Sequence, residues 1–277
     1  MKTVIVGLGF VEQHLNQNYE RSAHRFEPTL SSVERFLDLE MPDVVINCLG
    51  KTGRPNIDEC EAQKGDTLIK NVTIPTLLAE ATERRGIRLL HIGSGCIFSG
   101  PSPSPDGWNE GDIANPQSFY SKTKYSCDLA IADLSNVCIL RIRMPVSDRY
   151  LPRNFITKVI GYSSIIDIPN SMTFMRDFSR AVDWAVDNSK SGVYHVTNPG
   201  LVTAADFVRE YAALTPHTYR VIDESELRQL TTAPRSNCQL DSSKIVSEGF
   251  QFNHSSQLIK PYVTQYLQSK LEKINHG

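Results

Sequence analysis

A doubly wound α/β domain on a parallel sheet (Rossmann-like), followed by a smaller C-terminal unit, is the fold class this sequence predicts. Three observations carry it. Short β-branched apolar runs alternate with amphipathic stretches through the first half of the chain. The first run leads straight into a glycine turn, and the alternation loses its regularity after Pro145.

Lys2–Gly7 (KTVIVG), Asp43–Cys48 (DVVINC), Arg88–Gly93 (RLLHIG) and Asn136–Arg143 (NVCILRIR) are nearly continuous apolar runs, the pattern of strands covered on both faces. Thr76–Arg85 (TLLAEATERR) and the stretch after Tyr120 have helical spacing. Beyond Pro145, Ser164–Pro169 and Gly192–Asn198 read as strands flanking a helix over Met175–Asn188. Thr203, with Asp206 three residues on, predicts a capped helix start, and a final helix is expected over Ser256–Lys273. Ser99–Gly107 is a proline-rich loop, and no internal repeat is present. The elements divide the chain into a dinucleotide-binding domain over 1–145, with a return segment at about 172–198, and a mainly substrate-binding domain over 146–277. The second unit is expected against the carboxyl ends of the strands, where open α/β sheets bind ligands.

Composition narrows the function classes. With 40% hydrophobic and 22% charged residues among 277, the chain is globular, not disordered. The 29 basic and 31 acidic side chains give a net charge of -2 with no block of one sign, which argues against a nucleic-acid partner bound by phosphate neutralisation. The apolar stretch Thr3–Val11 is far below the ~20 residues of a membrane span and lacks a cleavage site, so no membrane partner and a cytoplasmic location are expected. The six cysteines form no Cys-x-x-Cys pair and the seven histidines no His-x-x-x-His spacing, which predicts reduced thiols and no metal site.

In the turn Gly7-Leu8-Gly9-Phe10-Val11-Glu12, Gly7 permits the tight bend and Gly9 the close approach of backbone to a pyrophosphate. Gly7, Gly9, Phe10 and Val11 are the expected cofactor contacts. The third glycine of the pattern is replaced by Glu12, whose carboxylate suits a helix start but repels a pyrophosphate unless it points away, to solvent. A glycine turn without a cofactor is the bland alternative. Glu27, 20 residues beyond Gly7, has the place of an NAD ribose ligand, and Arg25 could hold the 2′-phosphate of NADP instead; either could equally be a solvated surface charge.

Tyr120 and Lys124 stand four residues apart on one face of a helix. A phenol with a pKa near ~10 needs a neighbouring cation to exchange protons well at neutral pH, which Lys124 can supply. Ser94, delivered at the carboxyl end of the strand over 88–93, can polarise a carbonyl while Tyr120 protonates it, or simply cap its loop.

A series of blocks then becomes recognisable: Gly-Lys-Thr-Gly-Arg-Pro-Asn (50–56), Ser-Gly-Cys-Ile-Phe (94–98) and Ser-Phe-Tyr-Ser-Lys-Thr-Lys (118–124), followed by Arg-Ile-Arg-Met-Pro (141–145) and Pro-Arg-Asn-Phe-Ile-Thr-Lys (152–158). Pro-Asn-Ser-Met-Thr (169–173), Thr-Asn-Pro-Gly (197–200) and Ala-Pro-Arg-Ser-Asn (233–237) complete it. The set resembles the extended short-chain dehydrogenase/reductases of nucleotide-rhamnose synthesis over about residues 43 to 245. Within them it looks like the bifunctional UDP-4-keto-6-deoxyglucose 3,5-epimerase/4-reductases, and more distantly the dTDP-4-dehydrorhamnose reductases. The resemblance implies Ser94, Tyr120 and Lys124 as the reductase set and Cys96 and Lys158 as the epimerisation pair. It also implies Arg54, Asn56, Asn154 and Arg235 as sugar-nucleotide contacts. NADPH is the implied cofactor, with NADH its alternative, and UDP-4-keto-6-deoxyglucose the implied substrate; the assembly is open to a homodimer.

The chemistry agrees. A 4-keto group acidifies the hydrogens on C3 and C5, and inversion there needs a base on one face and an acid on the other. A thiol (pKa ~8.5) and an ammonium (~10.4) can do this once their surroundings bring them toward neutrality. Without the resemblance, Cys96 reads as a buried small hydrophobe and Lys158 as a solvated helix face. Two other readings stand beside the bifunctional enzyme. One is a reductase alone, against which Cys96 and Lys158 argue. The other is a non-catalytic binding subunit resembling the regulatory subunit of methionine adenosyltransferase, which Glu12 favours.

Overall fold

The computed structural model describes residues 1–276. Strand β1 (Thr3–Val6) leads through a short 3-10 turn at Glu12–His14 into β2 (Glu20–Arg21), then α1 (Leu30–Glu40) and β3 (Val44–Asn47). Helices α2 (Asp58–Ala62) and α3 (Lys64–Leu68) run through a π turn at Ile69–Thr73 into α4 (Ile74–Glu83). β4 (Arg88–Ser94), a 3-10 turn at Gly95–Ile97, α5 (Phe119–Ile131) and β5 (Val137–Ile142) follow. The C-terminal half contains α6 (Phe155–Ile160), β6 (Ser164–Ile166), β7 (Asn170–Met172), α7 (Met175–Asp187), β8 (Gly192–His195) and β9 (Asn198–Val202). It closes with α8 (Ala204–Leu214), β10 (Arg220–Ile222), α9 (Glu224–Leu230), α10 (Ser243–Ser247) and α11 (Ser255–His276).

Six strands form one parallel sheet in the order β2-β1-β3-β4-β5-β8. The apolar runs are continuous because side chains alternate between two buried faces. Ile5, Ile46, Leu90 and Leu140 meet α7 on one face. Val4, Val45, Leu89 and Ile139 meet α1, α4 and α5 on the other. β8 reaches this sheet after a long excursion, pairing with β5 at Leu140↔Tyr194.

The crossover from β1 to β2 differs from the expectation. No helix follows the glycine turn, only the three-residue 3-10 turn. Asn16, Gln17 and Asn18 interrupt any apolar helical repeat there, and Asn in particular bonds backbone outside helices. Phe10 and Leu15 pack into the sheet in place of a helix, and Tyr19 reaches α7 through a 2.6 Å bond to Asp183.

A second core, built from Val146, Ile156, Phe174, Phe207 and Tyr266 among others, lies under α6, α8 and α11. Thr203 and Asp206 form the expected capping box of α8. The strand expected over Gly192–Asn198 ends at His195 as β8 of the main sheet, and Asn198 opens a second strand, β9, antiparallel to β7. Among the described residues, no helix is long and apolar enough to cross a membrane.

Candidate active site

The carboxyl ends of β1, β3, β4 and β5 open into a cavity of about 340 Å³. Gly9, Phe10 and Val11 line it beside β1, and Ser94, Cys96, Tyr120 and Lys124 line it beyond β4. Arg153 and Lys158 close it from the α6 side. Residues spread over 64 positions of the sequence, Ser94, Cys96, Tyr120, Lys124 and Lys158, thus share one wall system.

The glycine turn fits a dinucleotide pyrophosphate. Gly7 has φ +94°, and a Cβ there would lie 2.6 Å from Leu49 N, so only glycine makes this bend. A Cβ on Gly9 would meet nothing within 4 Å, so its backbone faces open space that a phosphate can approach. Glu12 corrects its expectation. It is 7% exposed, and its Oε1 accepts from Arg21 Nε at 2.5 Å. Arg21 also donates to Tyr19 O and Leu15 O. The carboxylate therefore points inward to β2 and is no part of the cavity wall, rather than reaching solvent.

Ser94 ends β4, is almost fully buried, and its Oγ accepts from Cys96 N at 3.2 Å, so it caps the following turn while facing the cavity. Ser118 caps α5 and fixes Tyr120 in its first turn. Burial and the adjacent Cys96 push the Tyr120 phenol up, with the Ser94 hydroxyl acting against them. Tyr120 therefore holds its proton at neutral pH, the state a general acid needs. Lys124 Nζ donates to Ile92 O at 2.9 Å and lies 3.0 Å from His91 Nε2. His91 Nδ1 meets Asn47 Nδ2 at 3.0 Å, and Asn47 Oδ1 accepts from Leu49 N. Burial and Lys124 hold His91 well below the usual range, so the imidazole is neutral. This buried polar chain fixes Lys124 to β3 and β4.

Lys158 sits in α6, where burial foremost and then Arg153 pull its ammonium down. Arg153 Nη2 reaches Thr52 Oγ1 and Gly53 O, joining the α6 segment to the loop after β3. Asn71, in the π turn, is fully buried; it accepts from Lys51 N at 2.7 Å and donates to Lys51 O and Thr123 Oγ1. It ties that same loop to α5, and π turns of this kind recur at functional sites.

The expected sugar-nucleotide contacts are not gathered here. Asn154 is fully buried, and its amide is spent on Ser147 N, Ser147 O, Arg149 O and the α6 start, so it shapes the backbone instead of facing a ligand. Arg235 forms a two-pronged ion pair with Asp58 (2.9 and 3.0 Å) and lines a separate cavity of about 380 Å³ with Gln117 and Arg228. Arg54 is exposed and Asn56 caps Asp58 N; neither lines the central cavity. Arg25 is exposed on the loop after β2, which Ser22 and His24 fasten to Glu40 of α1, and it too is outside that cavity. His91, Asn71, Arg143 and Arg153 were not legible as site residues: the first three are polar groups buried within apolar elements, and only the folded chain supplies their partners.

Residues 11–164, more than half of the chain, match the family described as the RmlD substrate binding domain. Over 215 residues the chain is 38% identical to a bifunctional dTDP-4-dehydrorhamnose 3,5-epimerase/dTDP-4-dehydrorhamnose reductase of Arabidopsis thaliana, covering 75% of this chain and 71% of that protein. It is 35% identical over 239 residues to a trifunctional UDP-glucose 4,6-dehydratase/UDP-4-keto-6-deoxy-D-glucose 3,5-epimerase/UDP-4-keto-L-rhamnose-reductase of the same plant, covering 83% of this chain. It spans 35% of that larger relative. The crystal structure of the L780 UDP-rhamnose synthase of Acanthamoeba polyphaga mimivirus superposes with a TM-score of 0.88 at 30% identity, over 96% of this chain and 99% of that one. A dTDP-4-dehydrorhamnose reductase of Bacillus anthracis in complex with NADP shares the fold at a TM-score of 0.79 and 19% identity, over 96% and 99% of the two chains.

Proposed function

Since the chain belongs to the RmlD substrate-binding-domain family, we propose that it is an NADPH-dependent enzyme that epimerises C3 and C5 and reduces the 4-keto group of UDP-4-keto-6-deoxyglucose. The coarser reading, a 4-keto-sugar reductase, is supported by the named activities of its relatives. One observation carries the finer reading: the reductase set Ser94, Tyr120 and Lys124 lines the same cavity as Cys96 and Lys158. A single ketone serves both reactions, so a single cavity can host them.

A reduced nicotinamide bound along Gly7–Val11 would supply hydride to the ketone carbon. Tyr120 gives its proton to the ketone oxygen as negative charge develops there; an alkoxide is a stronger base than even a buried phenolate. Ser94 Oγ holds that oxygen by a hydrogen bond, and Lys124 places a cation beside it. For epimerisation, Cys96 and Lys158 exchange protons with the carbons flanking the ketone. The lowered Lys158 ammonium is a readier proton donor than an exposed lysine. We further propose the division at 145/146, with 172–198 returning to the cofactor domain, since α7 and β8 pack on the main sheet. Glu12 no longer favours a binding subunit, because Arg21 neutralises it outside the cavity.

Incubation with NADPH and UDP-4-keto-6-deoxyglucose tests the reading. UDP-L-rhamnose is the expected product by NMR. A 6-deoxy sugar with C3 and C5 unchanged would leave reduction alone, and no turnover would overturn the assignment.

A further inference from the structure

Building on the epimerase reading, we infer that Arg143 is the positioning residue that holds the Cys96 sulfur as the proton acceptor of epimerisation. Arg143 follows β5 and is 0% exposed. Among the described residues it forms no ion pair. Its Nη1 donates to Cys96 Sγ at 3.4 Å and to Ser236 Oγ at 2.9 Å. Its Nη2 donates to Ser236 O at 2.6 Å and to Asn170 Oδ1, and its Nε has no partner.

A guanidinium taken wholly out of water without a counter-charge is strongly disfavoured. Of the groups it touches, a hydroxyl, an amide and a backbone carbonyl stay neutral, and Cys96 alone can accept negative charge. The other ionisable groups facing the sulfur are Tyr120 from α5 and Cys238 from the segment before Leu240, and burial pushes both up, so both stay protonated. The loop is shaped for this contact. A Cβ on Gly95 would lie 2.3 Å from Leu240 Cδ1 and 3.4 Å from Arg143 Cβ, so glycine lets the turn pack against Leu240 and the base of the Arg143 side chain. Cys96 lines the cavity while Arg143 does not, which sets the cation behind the sulfur and leaves the sulfur free to meet a substrate.

The step balances as a proton exchange. The sulfur anion takes the proton from the carbon beside the ketone, giving a thiol, and the C–H electron pair passes into the enolate. The Lys158 ammonium returns a proton to that carbon from the opposite face and becomes an amine. Thiol and amine then exchange protons with water, restoring the starting state.

Iodoacetamide labelling of Cys96, read by peptide mass spectrometry on the intact chain, tests the contact without any substrate. Arg143→Gln is expected to slow labelling at pH 7 at least tenfold. Arg143→Lys, which keeps a cation, should recover part of the loss. Ser236→Ala, which removes a neighbouring partner of the same nitrogen, should leave labelling unchanged. The labelling is read on those Arg143 variants that keep a cooperative unfolding transition, and the Lys variant suffices with an expected intermediate rate. Labelling at pH 7 equal to wild type in the folded Arg143 variants would overturn the inference. In parallel, deuterium incorporation at C3 and C5 should fall with the labelling rate. Labelling that responds to Arg143 while the wild type incorporates no deuterium would sink the epimerase reading and leave the Arg143–Cys96 contact standing.

Discussion

Replacing Glu12 by alanine removes the carboxylate that stands where the dinucleotide pattern has its third glycine, and separates a structural role from a cofactor role. The pair it forms with Arg21 is short, 2.5 Å, with the Glu12 side chain 9% and the Arg21 side chain 26% exposed. A charge-assisted hydrogen bond of this kind contributes about 1.5–3 kcal/mol when buried, and a fully exposed pair about 0–1 kcal/mol. Arg21 keeps its bonds to Tyr19 O and Leu15 O after truncation, and water reaches part of its side chain. The partly exposed pair falls between these two cases, at about 1–2 kcal/mol. For a chain of this size each kcal/mol moves Tm by about 2–4 °C, so a loss of roughly 2–8 °C is expected in a thermal melt. A double-mutant cycle with Arg21→Ala should return a coupling energy of about 1 kcal/mol. NADPH affinity, measured by fluorescence titration, should change by less than about threefold. An unchanged Tm together with a tenfold gain in NADPH affinity would refute the reasoning, because it would place the carboxylate against the pyrophosphate.

Tyr120→Phe should lower the rate of ketone reduction by about 10²–10⁴-fold, the usual contribution of a general acid, with Tm nearly unchanged because the ring stays packed; near-wild-type NADPH oxidation would remove Tyr120 from its role. Asn154→Ala removes the α6 cap and leaves buried backbone groups of Ser147 and Arg149 unpartnered, so a loss of about 2–4 kcal/mol is expected in urea unfolding, and a variant as stable as wild type would contradict the positioning role. His14 is brought down to about 4, by burial first and then by Arg149, so it stays neutral in the fold but takes up a proton near pH 6.5 when unfolded. Its stabilisation is present above pH 6.5 and lost as the pH falls toward 4; His14→Gln should flatten the decline of Tm over that window, and an unaltered slope would exclude it.

The main sheet was legible because strands buried on both faces carry uninterrupted apolar runs, and Val4, Ile5, Val45 and Ile46 are fully buried. The missing helix after β1 was not, since Gly7-Leu8-Gly9 announces a strand and a turn whether or not a helix follows. The glycine spacing hid the signal in Asn16-Gln17-Asn18. Ser94, Tyr120, Lys124, Cys96 and Lys158 could be named from their blocks, and they line one cavity. Asn154 serves the backbone and Arg235 pairs with Asp58 beside a second cavity, because a polar residue in a distinctive block can hold its own fold as readily as a ligand. His91 and Arg143 lie in or just after runs, RLLHIG and VCILRIR, that read only as strand, and their meaning rests on Lys124 and Cys96 arriving from other elements.

Deuterium exchange tests the central claim most directly, because it reports carbanion formation beside the ketone without hydride transfer. The protein and UDP-4-keto-6-deoxyglucose are incubated in deuterated water without NADPH, and C3 and C5 are followed by NMR. Wild type should incorporate deuterium at both carbons, and Cys96→Ala and Lys158→Ala should each lose at least two orders of magnitude of that rate. No incorporation by wild type, or incorporation undiminished in both variants, would contradict the assignment of this cavity to epimerisation.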